Sequence, residues 1–177
     1  MVVDCGACDG ITGSNSFRMI NEFGWDAILI EPVPIFNQYL TYLYDDNPRV
    51  QILPIALDTT SGSKKLRLST VGCAGASTIN PEFISKQGEQ CYTDRSIDVE
   101  TNTFNNVMST QPNKPIDFLS IDCEGMEIQL MQSIDFIKYR PTVVCIEQSE
   151  HKSTVLEFMN LKGYTCIKET ICNWIFM

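Results

Sequence analysis

The chain opens on Val2-Val3-Asp4-Cys5-Gly6-Ala7-Cys8-Asp9-Gly10, and one helix-length later Ala27-Ile28-Leu29-Ile30-Glu31-Pro32 repeats the pattern of an apolar run that ends in an acid. Between the two runs the backbone turns through glycines, which tolerate positive φ and let a ligand lie against the main chain. A strand, a glycine turn, a helix and a second strand ending in an acid make the front half of a βαβ unit that binds a nucleoside.

The loop itself narrows the ligand. A dinucleotide fingerprint needs G-x-G-x-x-G, whose middle glycine makes room for a pyrophosphate. Cys8 stands there instead, and the glycines fall at Gly6, Gly10 and Gly13. The loop carries Asp4 and Asp9 with no Lys or Arg beside them, so it repels phosphate and welcomes a cation. S-adenosylmethionine, with a ribose, an adenine, an ammonium and a sulfonium but no phosphate, fits better than a nicotinamide dinucleotide. Glu31 is expected to accept hydrogen bonds from the ribose hydroxyls, and Asp4 to lie near the amino-acid end. The plainer alternative is a glycine-rich turn in some other α/β domain.

At 177 residues and 44% hydrophobic composition, one domain with a sizeable core is expected. A net charge of −9 argues against nucleic acid as a partner, because phosphate neutralisation needs clustered Lys and Arg. No apolar run approaches the ~20 residues of a membrane span, and no signal segment opens the chain. Of the eight cysteines, Cys5, Cys123 and Cys145 fall in or beside apolar runs and Cys8 in the ligand loop. Cys5 and Cys8 form a lone C-x-x-C with no second pair at finger spacing, so no metal site is expected. Reduced thiols and a cytoplasmic location are. The first strand begins almost at residue 1, which suits either a minimal enzyme or part of something longer that lacks a preceding segment.

Along the chain, Ser14 is placed to cap a helix with Phe17, Ile20 and Phe23 on one face and Gly24 at its end. Pro34 suits the first turn of a second helix bearing Ile35, Phe36, Tyr39, Leu40 and Leu43, stopped at Asp45-Asp46-Asn47-Pro48. A third strand is expected from Val50 to Leu57. Residues 58–107 then change character: a turn at Thr59–Ser63, alternation over Lys65–Leu68 and Arg95–Glu100, and a small-residue run at Cys73–Ser77. They read as a β-rich insertion, either a substrate-recognition element or a plain surface excursion. Regular order resumes with strand Ile116–Ile121, a helix from Met126 to Ile137 and strand Thr142–Ile146. A helix capped by Ser153 or Thr154 follows, ending near Gly163. Strands Tyr164–Lys168 and Ile171–Met177 have no helix between them and should pair as an antiparallel hairpin. Trp25 and Trp174 read as core or hairpin residues. The order predicts a mostly parallel seven-stranded sheet with an antiparallel last strand, a three-layer Rossmann-like sandwich of the class I methyltransferase type.

Three blocks resemble the FkbM-type methyltransferases: Asp4 through Ser16, Ile28-Leu29-Ile30-Glu31-Pro32-Val33-Pro34, and Ile116-Asp117-Phe118-Leu119-Ser120-Ile121-Asp122-Cys123-Glu124-Gly125-Met126-Glu127. The resemblance continues through Arg140-Pro141-Thr142-Val143-Val144-Cys145-Ile146-Glu147. It implies S-adenosylmethionine-dependent transfer of a methyl group, commonly to a hydroxyl of a sugar or related metabolite, with a small molecule or glycan as acceptor. Donor-binding residues would be Asp4, Gly6, Ala7, Gly10, Glu31, Pro32 and Asp122, with Asp58 matching the acid that meets adenine.

Asp122 and Glu124 follow the fourth strand, where the carboxyl ends of strands meet ligand. One of them is a candidate general base, and together they have oxygen chemistry that suits a divalent ion. In the alternative, Glu124 caps the following helix and only Asp122 meets ligand. Glu147 borders the same cleft, and His151, the one imidazole, is a further base candidate. Two other functions compete with methyl transfer: a nicotinamide oxidoreductase, disfavoured by Cys8, and a cofactor-binding regulatory or structural protein without turnover.

Overall fold

The computed structural model describes residues 1–71, 75–111 and 114–177. Its seven-stranded sheet contains β1 (Val2–Cys5), β2 (Ala27–Ile30), β3 (Val50–Leu53), β7 (Phe118–Ile121), β8 (Val143–Glu147), β9 (Cys166–Glu169) and β10 (Asn173–Phe176), in the order β3-β2-β1-β7-β8-β10-β9. The first five pair in parallel, whereas β10 lies antiparallel between β8 and β9. The hairpin expected from the last two apolar runs therefore slots its second strand inward, and Trp174 is buried there.

Every residue of β1 and β2 is buried, Asp4 of β1 included, which is why neither strand alternates apolar with polar. Alternation persists in the packing. Val3, Cys5, Ile28, Ile30, Leu119 and Ile121 face one core, which they share with Val107 of α4 (Phe104–Ser109), Leu130 and Met131 of α5 (Glu127–Ser133), and Val155 and Met159 of α6 (Lys152–Leu161). Val2, Ala27 and Leu29 face a second core with Ile20 of α1 (Phe17–Asn21) and Leu40 and Tyr44 of α2 (Pro34–Tyr44). Helices thus cover both faces. Each buried Leu or Ile contributes about 1.5–3 kcal/mol to holding the three layers together.

Several expected boundaries shift. The run from Val50 to Leu57 divides: β3 stays in the main sheet, and β4 (Ala56–Leu57) leaves it to pair with β6 (Tyr92–Asn102). With β5 (Gly62–Ser69), β6 forms a separate three-stranded sheet in the order β4-β6-β5. The insertion also carries a helix that the periodicity missed, α3 (Pro81–Gln87), with Asn80 as its N-cap. Of the small-residue run at Cys73–Ser77, residues 73 and 74 lie outside the described residues.

Phe23, Ile35 and Tyr39 are exposed rather than packed, because α1 stops at Asn21 and α2 turns Leu40 and Tyr44 inward. The N-cap of α6 is His151, not Ser153 or Thr154. The helix expected up to Ile137 ends at Ser133, where Ile134 turns to extended backbone. Cys5, Cys8, Cys123, Cys145, Cys166 and Cys172 are free thiols.

Candidate active site

The strands end their carboxyl ends around one cavity of about 320 Å³. β1 delivers Gly6, whose φ of +90° turns the chain so that the Gly6 and Ala7 amides donate to the Ile30 carbonyl. A side chain has no room here: a Cβ on Gly6 would lie 1.7 Å from the Asp122 carbonyl oxygen. β2 delivers Glu31, and its carboxylate accepts from the Cys8 amide (2.9 Å) and the Val33 amide (2.7 Å). Burial raises Glu31 to about 7, with the charges of Asp4 and Asp122 adding to the rise and the two amides opposing it.

β7 delivers the segment Asp122-Cys123-Glu124-Gly125. Glu124 sits at φ +52°, a left-handed conformation uncommon for a residue with a side chain, and Gly125 follows at +92°. Three groups hold this bend. The Glu127 carboxylate accepts from the Cys123 and Gly125 amides, the Thr78 hydroxyl donates to the Glu124 carbonyl (2.7 Å), and the Asn80 amide donates to the Gly125 carbonyl (2.7 Å). The capping acid is therefore Glu127, which frees Glu124 to line the cavity.

Glu147, at the end of β8, completes a triad. Carboxylate oxygens of Asp122, Glu124 and Glu147 all lie within 4.8 Å of one another. Like charges this close cannot all ionise in a half-buried setting. Burial, reinforced by Asp122 and Glu127, raises Glu124 to about 8. Burial first, then Asp122 and Glu124, raise Glu147 further, and burial, Glu127 and Asp4 raise Asp122, which its hydrogen bond with Glu147 holds back. The two carboxyls thus share a proton. Such a set of oxygens suits a hard divalent ion, and its charge equally suits a sulfonium.

The expected site residues divide by position. Gly6, Glu31, Pro32, Asp122 and Glu124 line the main cavity. Asp4 and Ala7 line a small recess that shares Gly6, Cys8 and Asp122 with it, and Asp4 is bound there by the Ser16 hydroxyl. Gly10 lines neither; it lets the loop pack on α2, with Leu40 only 2.6 Å from where a Cβ would stand. Asp58 is buried, and its carboxylate lies 2.6 Å from the Lys64 ammonium, while its neighbours Ala56 and Leu57 line the cavity. His151 lines a second cavity next door.

The acidity arises from strand ends rather than from the loop, since the Asp9 carboxylate is taken up by the Ile11 and Thr12 amides. Glu147, expected at the cleft as an acid closing an apolar strand, lines the cavity, whereas two further lining residues, Thr78 and Asn173, carry no local motif. Thr78 and Asn173 arrive through the insertion and through the inward slot of β10, which no local pattern encodes.

An open parallel sheet with one reversed strand inside its far edge, and a nucleoside-sized acidic cavity over the carboxyl ends of β1, β2, β7 and β8, is the class I methyltransferase arrangement. The chain belongs to the FkbM methyltransferase family: the methyltransferase FkbM domain profile matches residues 4–166. Among solved structures, the methyltransferase FkbM from Methylobacillus flagellatus KT shares 14% identity at a TM-score of 0.59, over 99% of this chain and 43% of that one. The METTL16 MTase domain gives 10%, 0.54, and 99% and 57% coverage. The human methyltransferase 10 domain containing protein gives 12%, 0.52, and 99% and 69%. At these identities the likeness is one of fold, and the chain spans about half the length of the first two. Comparison with curated proteins returns no match.

Proposed function

We propose that this chain transfers a methyl group from S-adenosylmethionine to a hydroxyl oxygen of a sugar or related metabolite. The observation that carries the reading is the meeting of Glu31 with the Asp122–Glu124–Glu147 triad in one cavity over the strand ends. Glu31 faces where a ribose lies in such folds and is fixed by two amides, so its orientation is set before ligand arrives. Gly13, with open space where a Cβ would stand, leaves the main chain open to a close-lying ligand, and the recess at Asp4 and Ala7 suits an ammonium-bearing end.

The donor supplies an electrophilic methyl on a positive sulfur. The residues supply alignment and a proton acceptor. A cation beside the triad favours its ionised form, so the Asp122–Glu147 pair becomes able to accept the hydroxyl proton as the oxygen attacks. No helix among the described residues is long and apolar enough to cross a membrane.

Calorimetry with S-adenosylmethionine and S-adenosylhomocysteine tests the donor site, and labelled methyl transfer to a panel of glycosides and polyols tests turnover. Binding of both, with label recovered as an O-methyl ether, is expected. No heat with either on folded protein would end the reading. Binding without product over the whole panel would leave a cofactor-binding protein without turnover.

A further inference from the structure

Beside the donor cavity lies a second one, of about 550 Å³, which the reading above leaves without an occupant. The insertion supplies one wall through Asn80 and α3, α5 supplies another through Gln129, and the β8–α6 connection supplies the third through Gln148 and Ser149. Glu147 lines both cavities. We propose that this second cavity seats the methyl acceptor, an uncharged polyhydroxylated molecule of pyranoside size, and that Glu147 is the group its reacting hydroxyl meets. The proposal rests on the donor reading and adds the acceptor's place and class.

The lining sets the class. Gln87 and Gln129 bring amides that both donate and accept, the pattern that pairs with vicinal hydroxyls, while the Gln148 amide nitrogen is already given to the Thr170 carbonyl. Phe83 supplies an aromatic face, held against Gly125 so closely that a Cβ there would lie 2.5 Å from its ring. An apolar ring face beside amides matches a pyranose, which has C–H faces and a hydroxyl rim. The charged groups around the cavity are Glu82, Glu127, Glu147 and Glu150 against Lys86 and His151. Lys86 is already paired with Glu150, which also lies 3.4 Å from the His151 imidazole. A phosphorylated or carboxylated acceptor would meet uncompensated negative charge.

The reaction balances without a further reagent. The acceptor oxygen forms a bond to the methyl carbon, the carbon–sulfur bond breaks and its electron pair returns to sulfur. The hydroxyl proton passes to the Asp122–Glu147 pair and then to solvent.

The test is saturation-transfer NMR on the full chain loaded with S-adenosylhomocysteine. Methyl α-D-glucopyranoside, methyl α-D-mannopyranoside and methyl α-L-fucopyranoside serve as uncharged probes, and glucose 6-phosphate as the anionic one. Gln129→Trp and Thr154→Trp fill the cavity from two exposed helix positions, so one can fail to fold without ending the experiment. At least one uncharged glycoside should receive saturation, and its affinity should fall by roughly tenfold or more in the filled variants. S-adenosylhomocysteine affinity should stay within about twofold, because neither position lines the donor cavity. Silence from all three glycosides, a signal that survives both fillings, or preference for the phosphate overturns the proposal while donor binding stands. Loss of donor binding in the wild-type chain overturns the donor reading first, and this proposal with it.

Discussion

The parallel sheet and the β4-β6-β5 insertion are both β-structure, yet they hold the site by different means. β1 and β2 are buried along their whole length, whereas the first four residues of β5 are exposed and β6 buries only scattered positions such as Tyr92 and Val99. The sheet fixes the donor half by packing, which tolerates almost no added volume. The insertion packs Phe83 on Gly125 and lines the cavity with Leu66 and Ile79, and it adds polar bonds to the bend, Thr78 to Glu124 and Asn80 to Gly125. Position in the first region is a matter of backbone packing, and in the second of side-chain contacts and hydrogen bonds.

Glycine substitution breaks the comparison most sharply. Gly6→Ala drives a Cβ into backbone, against the Asp122 carbonyl, so a loss of about 4 kcal/mol or more and little recoverable folded protein are expected. Gly88→Ala, in the insertion, meets only the flexible end of Gln90 and should cost about 1–2 kcal/mol. Thermal melts of the two variants measure the gap, and equal losses would erase the distinction.

Glu31→Ala should come next. It removes a carboxylate that serves two loop amides and faces the ribose position, so S-adenosylhomocysteine affinity should fall about 30- to 100-fold by calorimetry. An unchanged affinity would move the ribose elsewhere.

Glu147→Gln tests the charge in the sheet-end triad through pH. Burial and neighbouring acids hold Glu147 and Glu124 above the ordinary glutamate value in the fold, Glu124 at about 8. Between the ordinary glutamate value and these raised ones, the folded chain holds more protons than the unfolded chain, so stability falls as pH rises through that window. Glutamine keeps a hydrogen-bond donor for Asp122 and removes one titration. Without ligand, the variant should match the parent Tm near pH 5 and exceed it by about 3 °C near pH 9. A constant offset at both pH values would show that the shared proton contributes nothing.

The smallest effect should come from the insertion's grip. The pair Thr78→Val and Asn80→Ala should cost about 1 kcal/mol each, and Asn80→Ala, outside the donor cavity, should leave donor affinity within about twofold. Amide exchange over residues 123–126 should nevertheless rise, since the bend loses two of its three holders.

Much of the donor half was legible because its rules are local. A short apolar run marked β1 and β2 as buried on both faces, and the acid closing each run, Asp4 inside β1 and Glu31 just past β2, marked the strand end. The spacing of Asp122 and Glu124 was equally plain, although which acid capped the bend depended on Glu127 folding back. The split of Val50–Leu57 was hidden, because Pro54 and Ile55 carry no sign of which sheet the next two residues join. α3 was hidden too, being short and burying none of its residues fully. Asp58 followed the family's pattern in sequence, and only tertiary pairing with Lys64 showed where its charge is spent. The second cavity drew on Glu147, Phe83 and Gln129, which stand far apart in the chain and converge only after the insertion folds over the bend.

The left-handed backbone at Glu124 gives the protein a hidden linkage between recognition and reactivity. Side chains from the insertion, together with Glu127, grasp the backbone on either side of the bond from Glu124 to Gly125. On the proposed reading, a lineage that remodels the insertion to fit a new acceptor also re-aims a carboxylate of the methyl-transfer site, so specificity and chemistry drift together.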